Sequence, residues 1–338
     1  MTQPSTSRAA VASSPPFAPR RWLRNGHAMT MFAWARRRGH PDLPAPADRL
    51  FRVDPESQVL ARCYWQPEPA ARPTLVALHG LEGSHDGHYM AGLADKAWRR
   101  GWNAVLVNQR NCGGTEPLGP RLYHSGLTSD PRAVIRELVE RDGLRDVGLV
   151  GYSLGGNLAL KLAGELADAG ELPVRAIAAV SPTIELDVCV RAIERKVNIA
   201  YHLNFVRQLR ARLRRMAELW PGRFDLEPLD RIWTIRKFDD VYTAPHHGFG
   251  DAATYYRLAS AMRVIDLARI PTLIISAADD PVVPPHQFRE AAVAANPAVT
   301  VRLERHGGHC GFFAGRAAGD GYWAEATAVE FLAAAMPR

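Results

Sequence analysis

The chain has 338 residues, 47% hydrophobic and 23% charged, which is globular in balance and long enough to bury a large core. Its formal charge of +7 is carried almost wholly by arginine, with lysine only at 96, 161, 196 and 237. No apolar run approaches 18 residues, so no membrane span is expected.

Residues 1–20 are rich in Ser, Ala and Pro and lack the apolar stretch of a secretory signal. They are expected to be a disordered tail ahead of one α/β domain over 21–338. Leu50–Val53 and Gln58–Trp65 read as strands, the second alternating as in an antiparallel edge. Strands and helices then alternate. Thr74–His79 is strand, Tyr89–Arg100 helix and Asn103–Val107 strand. Thr128–Arg141 is helix, with Thr128, Ser129 or Asp130 as its cap and Pro131 in its first turn.

Val147–Val150 is a buried strand, Asn157–Ala163 a helix and Val174–Val180 a strand. The pattern resumes with strand Thr272–Ser276, helix His286–Ala295, strand Val299–Glu304 and helix Tyr322–Ala335. Continuous apolar strands separated by helices predict a mostly parallel, doubly wound sheet covered on both faces.

Residues 183–256 interrupt this alternation and read as an inserted helical cap. Within them Phe205, Leu209, Leu213, Met216 and Trp220 recur at helical spacing, while Arg207, Arg210, Arg214 and Arg215 fall largely on other faces. Two readings stay open. One is an ordinary amphipathic helix with solvated arginines. The other is a basic cap that makes transient contact with an anionic lipid surface or draws an acidic leaving group. The basic residues show no wider clustering with aromatic platforms, so no nucleic-acid partner is expected.

The most informative segment is Gly151-Tyr152-Ser153-Leu154-Gly155-Gly156, between a buried strand and a helix. A serine on a sharp strand-to-helix turn, with glycines two positions either side, is the nucleophile elbow of α/β-hydrolases. Roughly one chain in ten this long holds G-x-S-x-G by accident, so the rest of the chain must decide. A serine hydroxyl needs a histidine base and a carboxylate to orient it, which follow in the order acid, then histidine. Asp280, after strand Thr272–Ser276 and before Pro281, is the expected acid, with Asp279 as the alternative. His309, in the last loop before the closing helix, is the expected base, with His306 as its rival. The expected oxyanion donors are the backbone N–H groups of Leu81, in the loop His79–His85, and of Leu154.

His79, His85 and His88 lack the carboxylates or spacing of a metal set, so no metal is expected. Cys63, Cys112, Cys189 and Cys310 form no C-x-x-C pair, which fits free thiols in a reducing, cytoplasmic setting.

Several segments carry a resemblance. They are Trp22–His27, His79–Ser84, Asn108–Gly114, Pro120–Gly126, the elbow, Phe238-Asp239-Asp240, Tyr255-Tyr256, Asp279-Asp280-Pro281 and His306–Phe312. Together they make the chain, from about residue 17 onward, similar to the YheT-like branch of the α/β-hydrolases. One departure is Ala28-Met29-Thr30, where the family pattern has a longer apolar residue and a glutamine before the threonine. By motif, the family's catalytic roles fall on Ser153, Asp280 and His309. The resemblance implies hydrolysis of small-molecule acyl esters, lipid-type esters included, through an acyl-enzyme and with no cofactor. Relatives that pass the acyl group to an alcohol make an O-acyltransferase the alternative, and a non-catalytic binding scaffold the remaining one.

Overall fold

The computed structural model describes residues 16–36, 38–166, 172–314 and 319–336. Most of the tail expected over 1–20 lies outside these. Of its last five residues, Phe17 packs edge-on against Phe312 with ring centroids 5.6 Å apart.

Eight strands form one sheet: β1 (Ala47–Asp54), β2 (Ser57–Tyr64), β3 (Thr74–Leu78), β4 (Asn103–Val107), β5 (Val147–Tyr152), β6 (Val174–Val180), β7 (Thr272–Ala277) and β8 (Val299–Glu304). Their spatial order is β1-β2-β4-β3-β5-β6-β7-β8. β2 runs antiparallel to both neighbours, and every pairing from β4 to β8 is parallel. β3, β4, β5 and β7 are buried at every residue, which is why they read as unbroken apolar runs. β2 alternates in burial as its sequence predicts, but it lies second from the edge, and β1 is the edge strand.

The helices of eight or more residues are α1 (Gly26–Ala35), α2 (His88–Trp98), α3 (Ser129–Asp142), α4 (Leu154–Glu165), α5 (Leu186–Ile193), α6 (Ile199–Leu219), α7 (Ala252–Ala259) and α8 (Trp323–Ala335). Two hydrophobic cores sandwich the sheet. Leu93 of α2 and Phe331 of α8 belong to one, and Ile135 of α3 and Leu158 of α4 to the other.

Two local expectations change. The candidate caps of α3 are spent elsewhere: Thr128 Oγ1 donates to Glu165 at 2.5 Å, and Asp130 accepts Arg110 Nε at 2.6 Å. No side chain caps that helix. The helix expected over His286–Ala295 splits into a 3₁₀ turn, Pro285–Arg289, and one α-turn, Ala291–Ala294, separated by an extended Glu290. The break lets Gln287 sink into the core, where its Oε1 accepts the Glu185 amide at 3.0 Å. A tertiary hydrogen bond outweighs helical periodicity there.

Between β6 and β7 the chain leaves the sheet, and α5, α6 and α7 lie in that excursion. Leu209, Leu213 and Met216 of α6 are buried, as their spacing predicts. The arginines of α6 are mostly paired. Arg210 and Arg214 share Asp230 at 2.8 and 2.6 Å, and Arg215 bonds Glu116 at 2.6 Å.

α4 starts so close to β3 that a Cβ on Gly155 would lie 2.4 Å from the Leu78 carbonyl oxygen and 2.5 Å from that of His79. Both obstacles are backbone atoms at the end of β3 and cannot swing aside. Gly155→Ala is therefore expected to cost about 3 kcal/mol of stability, read as a lower denaturation midpoint.

Candidate active site

The loops that carry the candidate residues all leave the C-terminal ends of parallel strands, so they rise on the same rim of the sheet. Ser153 follows β5 with φ 52° and ψ −115°, a conformation that ordinary residues avoid. The flanking glycines make it attainable: a Cβ on Gly151 would stand 2.1 Å from the Gly155 carbonyl oxygen.

His309 Nε2 lies 2.9 Å from Ser153 Oγ, and its Nδ1 lies 3.0 Å from Asp280 Oδ2. Asp280 is held from behind, because the amides of Val282 and Val283 both donate to its Oδ1, at 2.8 and 2.9 Å. A carboxylate can only accept, so Nδ1 carries the proton and Nε2 presents its lone pair to the serine hydroxyl. Burial disfavours the imidazolium, but the Asp280 carboxylate, aided by Cys310, holds the His309 pKa well above its ordinary value. The rivals pair with each other: His306 Nδ1 sits 3.3 Å from Asp279 Oδ2, and no hydrogen bond joins either to Ser153. Asp279 instead accepts the amide of Gly308 at 2.9 Å and shapes the histidine loop.

Leu81 and Leu154 line the same cavity as Ser153 and His309. Leu154 opens α4, so its N–H has no acceptor one turn back. The loop that carries Leu81 is pinned by residues of the next strand's loop. Gln109 donates through its amide to His79 Nε2 at 2.9 Å and through its side chain to the His79 carbonyl at 2.6 Å. Asn108 Oδ1 accepts the His85 amide at 2.6 Å. His79 is fully buried, and burial pulls its pKa down to about 4, so it is a neutral ring whose Nε2 accepts the Gln109 N–H. Among the described residues no three His, Cys, Asp or Glu side chains gather as a metal site.

The α/β-hydrolase-fold sequence model matches residues 73–315. The Escherichia coli protein named "Putative esterase YheT" is 37% identical over 98% of this chain and 97% of its own length. The chain belongs to the α/β-hydrolase family, in its YheT-like branch. Mouse "Phospholipase ABHD3" is 27% identical over 73% of the chain, which spans only 60% of that larger protein. Among solved structures, the Pyrococcus furiosus esterase Pf2001 superposes with a TM-score of 0.57 at 16% identity. That match covers 89% of this chain and 97% of that one, a likeness of fold.

Three supports of this α/β-hydrolase site escape a reading of the sequence. The first is α1. Asn25 caps it by accepting the Ala28 amide at 3.1 Å, and Gly26 packs against the acid loop, where a Cβ would meet the Asp279 carbonyl oxygen at 1.8 Å. Thr30 Oγ1, one turn on, accepts the amide of His309 at 2.8 Å. The second is Ser181, after β6, whose Oγ accepts the Cys310 amide at 3.1 Å.

The third is a buried ion cluster beside Leu81. Glu82 Oε1 accepts both Arg212 Nε and Tyr123 Oη at 2.9 Å, while the Glu82 amide donates to Tyr123 Oη at 3.1 Å. The Arg212 guanidinium lies 4.7 Å from the Tyr123 ring centroid. The helical excursion is thus clamped to the loop of Leu81. No spacing rule could have revealed this, because the partners lie 130 residues apart.

Three outcomes follow from this geometry. NMR titration of the Ser153→Ala protein should give His309 a pKa above about 6.5. Asp280→Asn should lower it, because burial then acts without the opposing charge. Arg212→Gln leaves the largely buried Glu82 carboxylate without its countercharge, with Tyr123 Oη still donating to it, and should cost about 3 kcal/mol in chemical denaturation.

Proposed function

We propose that the chain is a serine hydrolase that cleaves carboxylic esters of the acyl or lipid type through a covalent acyl-enzyme. The single observation that carries the reading is the line from Asp280 through His309 to Ser153, with contacts of 3.0 and 2.9 Å.

In the proposed cycle Ser153 Oγ attacks the ester carbonyl carbon as His309 Nε2 takes its proton. Asp280 keeps the imidazole in the required tautomer and stabilises the imidazolium. The N–H groups of Leu81 and Leu154 take the negative charge on the carbonyl oxygen, an interaction that strengthens as the tetrahedral intermediate forms. His309 then protonates the leaving alcohol. A water that gives its proton to the same nitrogen attacks the acyl carbon, and His309 returns that proton to Ser153 Oγ as the acyl–oxygen bond breaks and the acid leaves. No cofactor takes part in any step.

The cavity beside Ser153 supports an acyl substrate. Leu186, Val190, Phe205, Leu209 and Val282 line it, and an alkyl chain gains about 0.8 kcal/mol per buried methylene on such a wall. The relatives named esterase and phospholipase are consistent with the same class of bond.

Ser153→Ala should lower ester turnover by about a millionfold and abolish labelling by a fluorophosphonate probe, with the fold unchanged by circular dichroism. A folded wild-type protein that neither labels nor turns over an ester panel would refute the proposal.

A further inference from the structure

We propose that the outer face formed by α1 and the first turns of α6 docks on an anionic lipid bilayer. Among the described residues twelve large apolar side chains are exposed, and half of them lie on or beside these two elements. Trp22, Met31 and Trp34 stand 58%, 48% and 72% exposed, and Val197, Ile199 and Leu203 stand 65%, 48% and 46% exposed. Soluble surfaces usually scatter such residues singly, so their concentration calls for a partner.

The two elements form one surface. His27 of α1 stacks on Tyr201 of α6 with ring planes 4° apart and centroids 5.8 Å apart, and His27 Nδ1 lies 3.3 Å from Tyr201 Oη.

Charge selects the partner. The sequence has no Asp or Glu from residue 16 to 41, and none from 195 to 217. Arg20, Arg21, Arg24, Arg195, Lys196 and Arg207 are exposed, and none has an acidic partner among the described residues. The other end of α6 differs, since its arginines are taken up by Asp230, Glu116 and Glu82. Tryptophan at headgroup depth, aliphatic side chains below it and unpaired cations among anionic headgroups are what a lipid interface accepts. A second copy meeting the same face across a twofold axis would oppose cation to cation.

The face adjoins the chemistry. Thr30 of α1 holds the His309 amide at 2.8 Å, and Asn198, just before α6, donates to the Pro281 carbonyl at 2.7 Å. A bilayer seated here would lie against the loops of Asp280 and His309. The docking itself stands apart from the hydrolase reading, which enters only in what the surface delivers.

The test uses the full chain carrying Ser153→Ala, so that binding is measured without turnover. It compares co-sedimentation with vesicles of phosphatidylcholine alone and of phosphatidylcholine with about one third phosphatidylglycerol, whose charge gives the surface a negative potential. The expected result is binding to the anionic vesicles only, weakening as salt rises. Combining Met31→Ser, Trp34→Ser and Ile199→Ser should weaken it at least about tenfold. Arg21→Gln, Arg24→Gln and Lys196→Gln should each weaken it about fivefold.

With Ser153 restored, the same substitutions should leave turnover of a soluble short-chain ester unchanged. Equal binding to both vesicles, no binding, or binding indifferent to these substitutions overturns the proposal. So does a dimer in sedimentation velocity that the triple variant dissolves, which would make the face a self-interface. If the hydrolase reading alone is wrong, the ester assay is silent while anionic vesicles still bind.

Discussion

The start of α4 presses against the backbone of β3, and everything at the rim depends on that closeness. Gly155 admits the carbonyl oxygens of Leu78 and His79 where any side chain would collide. The approach brings the loop of Leu81 and the first turn of α4 to one place. It also drives Ser153 into its left-handed backbone conformation, which aims the hydroxyl outward. Such a conformation costs of order 1–3 kcal/mol, and the packed sheet beneath supplies the restraint.

Around this fixed point the other loops are adjustable and are therefore tied. The acid loop is shaped by two amides donating to Asp280 and by the contact with Gly26. The histidine loop is held from three directions, by Asp279 at Gly308, Thr30 at His309 and Ser181 at Cys310. The Leu81 loop is held from below by Asn108 and Gln109 and from above by Arg212. A 2.9 Å contact between side chains 156 residues apart can persist only if every loop near it has so little freedom.

Much of this was legible in the sequence, for physical reasons. Parallel strands buried on both faces must be unbroken apolar runs, so β3, β4, β5 and β7 could be read directly. Ser153 and His309 stand on the turns that their flanking glycines announced. What could not be read was long-range pairing. The pattern over 286–295 is helical, but nothing local says that Gln287 will bond Glu185. The arginines of α6 look alike as letters, yet Arg212 is buried against Glu82 while Arg207 is exposed. The choice between Asp279 and Asp280 was likewise a matter of side-chain direction, which adjacency in the chain leaves open.

The position of α1 has a consequence for where this molecule can be cut. The segment matched by the family's sequence model starts at residue 73, after α1 has ended. A fragment trimmed to that segment would retain Ser153, Asp280 and His309 in full, but the amide of His309 would lose the threonine hydroxyl beneath it. The stretch by which the fold is recognised is thus shorter than the stretch that keeps its imidazole in place.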